Sequence, residues 1–182
     1  SGMSEQFSEL SEELIRFIER QKIFFVGTAA PAGRVNVSPK GQDSLRVLGP
    51  SQILWMNLTG SGNETAAHLL DINRITLMWC AFEGPPMILR AYGTARAVHP
   101  RDEEWAACVA ELPSRLGARQ YFRMDVDLVQ TSCGYAVPEM AFGAERTVLD
   151  AWTERRGADG VEAYWRSDNG LSLDGRPTGI GG

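Results

Sequence analysis

The 182-residue sequence is short of cysteine, histidine and long apolar runs, and carries no excess of positive charge. Its three cysteines, Cys80, Cys108 and Cys133, are an odd number with no paired spacing. That indicates neither a disulfide framework nor a zinc site, and it makes a reducing, cytoplasmic setting the expectation. Eighteen Lys and Arg stand against 23 Asp and Glu, giving a net charge of -5 and a pI near 5.1. Such a field repels nucleic acid and anionic membrane surfaces, so neither is expected as a general partner. No segment is apolar over the length needed to span a bilayer, and the N-terminus has no apolar signal core. Ser1 and Gly2 ahead of Met3 read as a cloning remnant, which leaves residues 3–182 for the domain. The sequence contains no internal repeat and no low-complexity tract.

What is present fits one ordinary domain: 43% hydrophobic and 23% charged residues, over a length that supports a proper core. The stretch that organises it runs from Asn57 to Leu70, Asn-Leu-Thr-Gly-Ser-Gly-Asn-Glu-Thr-Ala-Ala-His-Leu-Leu. It follows the apolar run 53–56 and reads as a strand end, a glycine-rich turn and a helix over 64–70. Gly60 and Gly62 allow backbone angles other residues avoid. Ser61, Asn63 and Thr65 offer side-chain partners and caps. The free N–H groups and dipole of a helix start suit a phosphate, although an ordinary capped turn has the same pattern. A Walker loop is excluded, because Asn63-Glu64 follows Gly62 where a Lys-Ser/Thr pair is required. The dinucleotide fingerprint is excluded too, because Thr65 stands where a third glycine belongs. In an acidic chain any phosphate must be met by local cations, and the candidates are Lys40, Arg46, Arg74 and Arg90.

Along the rest of the chain, apolar residues at three-to-four spacing predict an amphipathic helix over 4–20, lying as a lid on the sheet. Strands are predicted over 23–28 and 34–38 as a hairpin ending at Pro39-Lys40-Gly41, then over 45–48 and 53–57. After the 64–70 helix come a central strand over 74–82, a break at Pro85-Pro86, and a long strand over 87–98 with a bend or bulge at Gly93. A helix is predicted over 102–111. A strand over 121–130 should place Phe122, Met124, Val126 and Leu128 on one face and Tyr121, Arg123, Asp125 and Asp127 on the other. A loop from Thr131 to Pro138 follows, then helices over about 144–156 and 159–166 separated by Gly157. The tail, 168–182, has no core of its own and is expected to be disordered or docked on a partner surface. Strands joined by tight turns with one short inserted helix favour an antiparallel barrel over a parallel sheet.

Five segments in fixed order carry a family resemblance: 35–41 (Val-Asn-Val-Ser-Pro-Lys-Gly), 60–69, 74–78, 88–93 (Ile-Leu-Arg-Ala-Tyr-Gly) and 132–138 (Ser-Cys-Gly-Tyr-Ala-Val-Pro). Together, over about residues 20–177, they resemble a branch of the pyridoxamine 5'-phosphate oxidase-like flavin-binding proteins. The resemblance implies a mainly β fold with flanking helices, an antiparallel, Greek-key split β-barrel with a helical C-terminal extension over about 144–182. It also implies a homodimer with FMN in a groove between subunits, working on a small-molecule substrate or electron donor. Carried over, the turn from Thr59 through Ser61, Gly62, Asn63 and Glu64 to Thr65 would hold the FMN phosphate, through backbone N–H groups and the Ser61, Asn63 and Thr65 side chains. Asn57, which closes the strand before it, is a further expected cofactor-binding residue. Ser38, Pro39 and Lys40 would lie along the flavin ring or the phosphate. Arg90 is a further candidate, equally readable as a solvated arginine on a strand face. Cys133 lies in a loop that could face the partner's flavin.

The departures from the full oxidase matter as well. Where its phosphate turn is similar to Ser-Arg-Lys, this chain has Asn63-Glu64-Thr65, so fewer ionic contacts to FMN are expected there. The Arg-x-His segment that grips pyridoxal is absent, since His68 and His99 are the only histidines. Oxidation of vitamin B6 is therefore not expected. The ending from Tyr164 to Pro177 instead resembles the branch's own, through Asn169, Ser172, Asp174, Gly175 and Pro177, with Asp168 in place of a lysine. His68 is expected to pack or cap rather than act as a base, and Trp55, Trp79 and Cys80 to lie in the core. The expected function is that of an FMN-dependent oxidoreductase. The alternative is a non-catalytic carrier of flavin, deazaflavin or tetrapyrrole on the same barrel.

Overall fold

The computed structural model describes residues 3–182, so the pair Ser1–Gly2 lies outside the described residues. The strands are β1 (Ser4–Phe7), β2 (Phe24–Thr28), β3 (Asn36–Lys40), β4 (Leu45–Gly49), β5 (Gln52–Leu58), β6 (Ile75–Cys80), β7 (Ile88–Val98) and β8 (Ala118–Ser132). The helices are α1 (Glu12–Arg20), α2 (Glu64–Asp71), α3 (Trp105–Glu111) and α4 (Val148–Asp168). The eight strands form one antiparallel sheet in the order β3-β2-β6-β7-β8-β5-β4, and β1 pairs with the far end of β8. The sheet does not close, which makes it a split barrel.

Its axis is the β7–β8 pair, the two longest strands, and their register shifts at Tyr92/Gly93. Tyr92 pairs with Leu128 and Gly93 with Val126, so Asp127 is the extra residue of a bulge. Gly93 is required there, because a Cβ would stand 1.9 Å from the Asp125 carbonyl oxygen. The bulge also reverses the inward face. Phe122, Met124 and Val126 point into the core as the alternation predicts, but beyond the bulge Val129 is buried and Leu128 is only half-buried.

The main core gathers Trp55, Trp79, Leu77, Leu89, Phe122 and their neighbours. Trp55 stacks on Phe122 with centroids 4.5 Å apart and meets Phe24 edge-on at 5.9 Å. α1 covers this core with Leu14, Phe17 and Ile18, and Ser11 caps it by accepting from Leu14 N at 3.2 Å. The lid therefore exists, but it is shorter than the periodicity suggests. Residues 4–7 are an exposed strand, whose pairing with Val129–Ser132 outweighs a weak local helix pattern.

A second cluster lies under α3, where Leu54, Met56, Val98, Cys108 and Leu112 surround Tyr121. Tyr121, expected on the polar face, is fully buried and its hydroxyl donates to the Leu112 carbonyl at 2.5 Å. α3 begins at Trp105, three residues later than the pattern suggests, because Asp102 forms a turn and accepts from His99 N at 2.7 Å. α4 begins at Val148 and is two helices about a kink at Gly157, whose φ of 70° is left-handed.

The tail is not loose. Residues 169–180 dock on the chain's own surface. Arg176 pairs with Asp71 at 2.5 Å, Asp174 pairs with Arg34, and Arg101 donates to the carbonyls of Gly179 and Ile180 at 2.6 and 2.9 Å. Asn169, Ser172 and Thr178 are buried. Their polar groups, rather than apolar side chains, make the contact, which is why a search for hydrophobic periodicity passes over it.

Candidate functional site

Where β3, the end of β5 and the start of α2 converge, a groove of about 460 Å³ opens. Its walls include ten of the residues selected from the sequence: Ser38, Pro39 and Lys40 on β3, Asn57 and Thr59 around the end of β5, and Ser61, Gly62, Asn63, Glu64 and Thr65 at the turn and helix start. Arg90 and Cys133 do not line it. Arg90 is half-buried on β7, opposite Met78 and Gln130, and Cys133 follows the end of β8. Of the other cations considered, Arg74 is exposed, and Arg46 binds the Asp43 carboxylate at 2.9 and 3.2 Å.

The cation that sequence reasoning missed is Arg119. β5 pairs Asn57 with Gln120 and Leu58 with Ala118, so Arg119 is the extra residue of a second bulge in β8. A bulge re-aims a side chain, and this one delivers a buried guanidinium to the groove wall. The alternation of a regular strand hides such a residue, because β8 already carries Arg123, Asp125 and Asp127 and one more charged side chain does not stand out. Arg119 Nη1 donates to the Gly62 carbonyl at 2.6 Å and more weakly to that of Gly60 at 3.5 Å. Its Nε is buried without an acceptor.

Burial lowers the Arg119 pKa to about 10 and that of Lys40 to about 8, the latter also depressed by the charge of Arg119. Lys40 Nζ donates to Asn57 Oδ1 at 3.2 Å and lies 5.7 Å from the centre of the Trp55 ring. Among the described residues neither cation forms an ion pair with a carboxylate. Arg119 is buried and Lys40 half-buried, and two such cations without a counter-ion carry a desolvation cost that an anion would offset.

Several side chains around the turn also bond within the chain and so build the loop. Asn63 Oδ1 accepts from Asn57 Nδ2 and Gln120 Nε2, both at 3.3 Å, and Asn63 Nδ2 donates to the Asn169 carbonyl at 3.4 Å. Asn57 Nδ2 also donates to Gln120 Oε1 at 2.8 Å. The Thr65 hydroxyl lies 3.2 Å from that of Thr28, which in turn meets His68 Nδ1 at 2.9 Å. His68 is thus a buried tie between α2 and β2. Thr59 Oγ1 donates to the Gly117 carbonyl at 2.8 Å and accepts from Trp165 Nε1 at 2.8 Å. Glu64 accepts from Leu173 N through both carboxylate oxygens, at 2.9 and 3.0 Å. Ser61 is exposed and makes no side-chain hydrogen bond among the described residues. For an anion the groove therefore offers the Lys40 and Arg119 cations, the Ser61 hydroxyl and the backbone N–H groups of the turn and helix start. The orphaned Arg119 Nε and the unneutralised pair fit a phosphate.

The open eight-stranded antiparallel sheet defines a split barrel, and sequence comparison supplies the family. The chain belongs to the pyridoxamine 5'-phosphate oxidase family, whose model matches residues 10–133. A pyridoxamine 5'-phosphate oxidase family protein of Aspergillus flavus, ustO, is 39% identical over 137 residues. That match covers 72% of this chain and 55% of the fungal protein, so the chain spans little more than half the length of this curated relative. Among solved structures, a Lactobacillus delbrueckii protein provisionally named as a pyridoxamine 5'-phosphate oxidase is similar with a TM-score of 0.52 and 21% identity, over 68% of this chain and 94% of that one. HupZ of Group A Streptococcus is similar with a TM-score of 0.51 and 18% identity, over 65% and 91%. At these identities the likeness concerns the fold.

Proposed function

We propose that the chain is an FMN-dependent oxidoreductase acting on a small molecule, with the FMN phosphate in the groove of Lys40, Arg119 and the 59–65 turn. The observation that carries this reading is the pair of desolvated, carboxylate-free cations beside a glycine turn and a helix start. Cations that the family's phosphate turn would supply locally are absent from Asn63-Glu64-Thr65, and Lys40 and Arg119 replace them from two other strands. A phosphate monoester neutralises both and takes N–H donors from the turn.

Bound FMN supplies the electron transfer. The chain's own contribution is to hold and orient it. Lys40 and Arg119 set the phosphate, the Thr59–Trp165 bond stiffens the approach to the turn, and Ser38 and Pro39 wall the same groove beside Lys40. The working unit is a homodimer with the groove completed by a second subunit, which light scattering of the flavin-loaded chain would read as twice the chain mass. The test of catalysis is anaerobic mixing of the FMN-loaded protein with NADH or NADPH, followed by admission of oxygen. Bleaching and recovery of the flavin spectrum over repeated cycles support an oxidoreductase. Bound flavin that neither these donors nor chemical screening of small-molecule reductants can turn over would make the chain a carrier.

A further inference from the structure

We propose that Asn169, a residue of the C-terminal tail, positions the phosphate turn by holding the carbonyl oxygens of Gly60 and Ser61 on the side away from the groove. The N–H groups of Ser61 and Gly62 then face the groove. The proposal rests on the phosphate reading above and adds a residue that does not touch the ligand.

Asn169 is fully buried, and its Nδ2 donates to the Gly60 carbonyl at 3.0 Å and the Ser61 carbonyl at 3.4 Å. Gly60, Ser61 and Gly62 line the groove, whereas no residue of the tail does. Asn169 therefore reaches the turn from behind. Every peptide bond among the described residues is trans, and in a trans peptide the C=O and the following N–H point in opposite directions. Drawing two successive carbonyls toward the tail turns the N–H groups of Ser61 and Gly62 the other way. Without that anchor the Gly60 carbonyl keeps only the weak 3.5 Å contact from Arg119 Nη1 and the Ser61 carbonyl has no side-chain donor among the described residues, so this glycine-flanked segment turns more freely and a carbonyl oxygen could face the phosphate in place of a donor.

The anchor is itself held firmly. The Asn169 carbonyl accepts from Thr178 Oγ1 at 2.6 Å and from Asn63 Nδ2 at 3.4 Å, and Thr178 N donates to the Gly170 carbonyl at 3.0 Å. Asn169 N donates to the Trp165 carbonyl at 3.0 Å, so the residue also ends α4. Leu173 N engages Glu64, whose carboxylate would otherwise be free at the same helix start as the phosphate.

The experiment compares FMN with riboflavin, which lacks the phosphate, by flavin-fluorescence titration of wild-type protein and Asn169→Ala, with thermal melts alongside. Because the substitution adds no charge, an affinity change cannot be direct electrostatics. The expected result is a 10- to 100-fold loss of FMN affinity, of the order of one or two charge-assisted hydrogen bonds, with riboflavin affinity unchanged within about threefold. Equal losses for both ligands, or unchanged FMN affinity, would overturn the positioning role. A wild-type protein that binds both flavins equally would overturn the phosphate reading itself. Should Asn169→Ala not fold, Thr178→Val, which removes the hydroxyl holding the Asn169 carbonyl, is expected to lower the FMN-to-riboflavin preference in the same direction, and an unchanged preference there would count against the proposal.

Discussion

The Lys40 ammonium and the Arg119 guanidinium reach one groove from two different strands, the first half-buried and the second buried, and among the described residues no carboxylate pairs with either. Lys40 comes from the edge strand β3 and Arg119 from a bulge in β8. Their proximity is the observation on which the proposed phosphate site rests, since beyond burial the charge of Arg119 depresses the Lys40 pKa.

Replacing Lys40 by Met should lower FMN affinity by about 10- to 100-fold, the worth of one charge-assisted contact to a phosphate. Stability of the ligand-free protein should stay within about 1 kcal/mol, because removing a desolvated charge offsets the lost bond to Asn57 Oδ1. Flavin titration and a thermal melt read the two effects separately, and a large stability loss with FMN affinity intact would contradict this role.

The same lysine gives binding a pH signature. Its pKa in the folded, ligand-free chain is about 8, against an ordinary 10.5, and a bound phosphate would raise it. FMN affinity should therefore fall as pH rises above about 8, by up to tenfold per pH unit, and Lys40→Met should flatten the profile. The sign for folding is opposite. Between about 8 and 10.5 the unfolded chain holds the extra proton, so stability of the ligand-free protein contributed by this group rises with pH across that window. Titrations across pH 6 to 10 (roughly two units either side of 8) test both signs.

Ser61 is exposed at the tip of the turn. Ser61→Asp should weaken FMN strongly by bringing a carboxylate to the phosphate, leave riboflavin binding nearly unchanged, and leave the melting temperature within a few degrees. Unchanged FMN affinity would remove the turn from the site.

Gly93→Ala tests the fold rather than the site. With a Cβ 1.9 Å from the Asp125 carbonyl oxygen, the β7–β8 pair must shift, at a cost of about 3 kcal/mol, the upper end of usual overpacking. Chemical denaturation measures it, and a loss below about 1 kcal/mol would show that the bulge relaxes freely.

Much of the barrel was legible because its strands carry dense apolar content between strong breakers. The hairpin ending at Lys40, the bend at Gly93 and the kink at Gly157 all stand where local chemistry requires them. The readings that failed depend on distant partners. Residues 4–7 become a strand only because β8 extends to Ser132. Tyr121 is buried only because α3 folds over it. In the candidate site the glycine turn was visible, but Arg119 was not, since the bulge that aims it arises from the register of β5 against β8. The tail's docking was hidden for a further reason: Asn169 and Thr178 act through specific side-chain hydrogen bonds, which leave no periodic trace in a sequence.

The most direct test of the central claim is an absorbance spectrum of the protein after incubation with FMN and removal of unbound ligand by gel filtration, repeated with haem. The account predicts a two-banded yellow flavin spectrum that stays with the protein, approaches one FMN per chain and is lost in Lys40→Met. A protein that stays colourless with FMN, or that retains only haem, would contradict it.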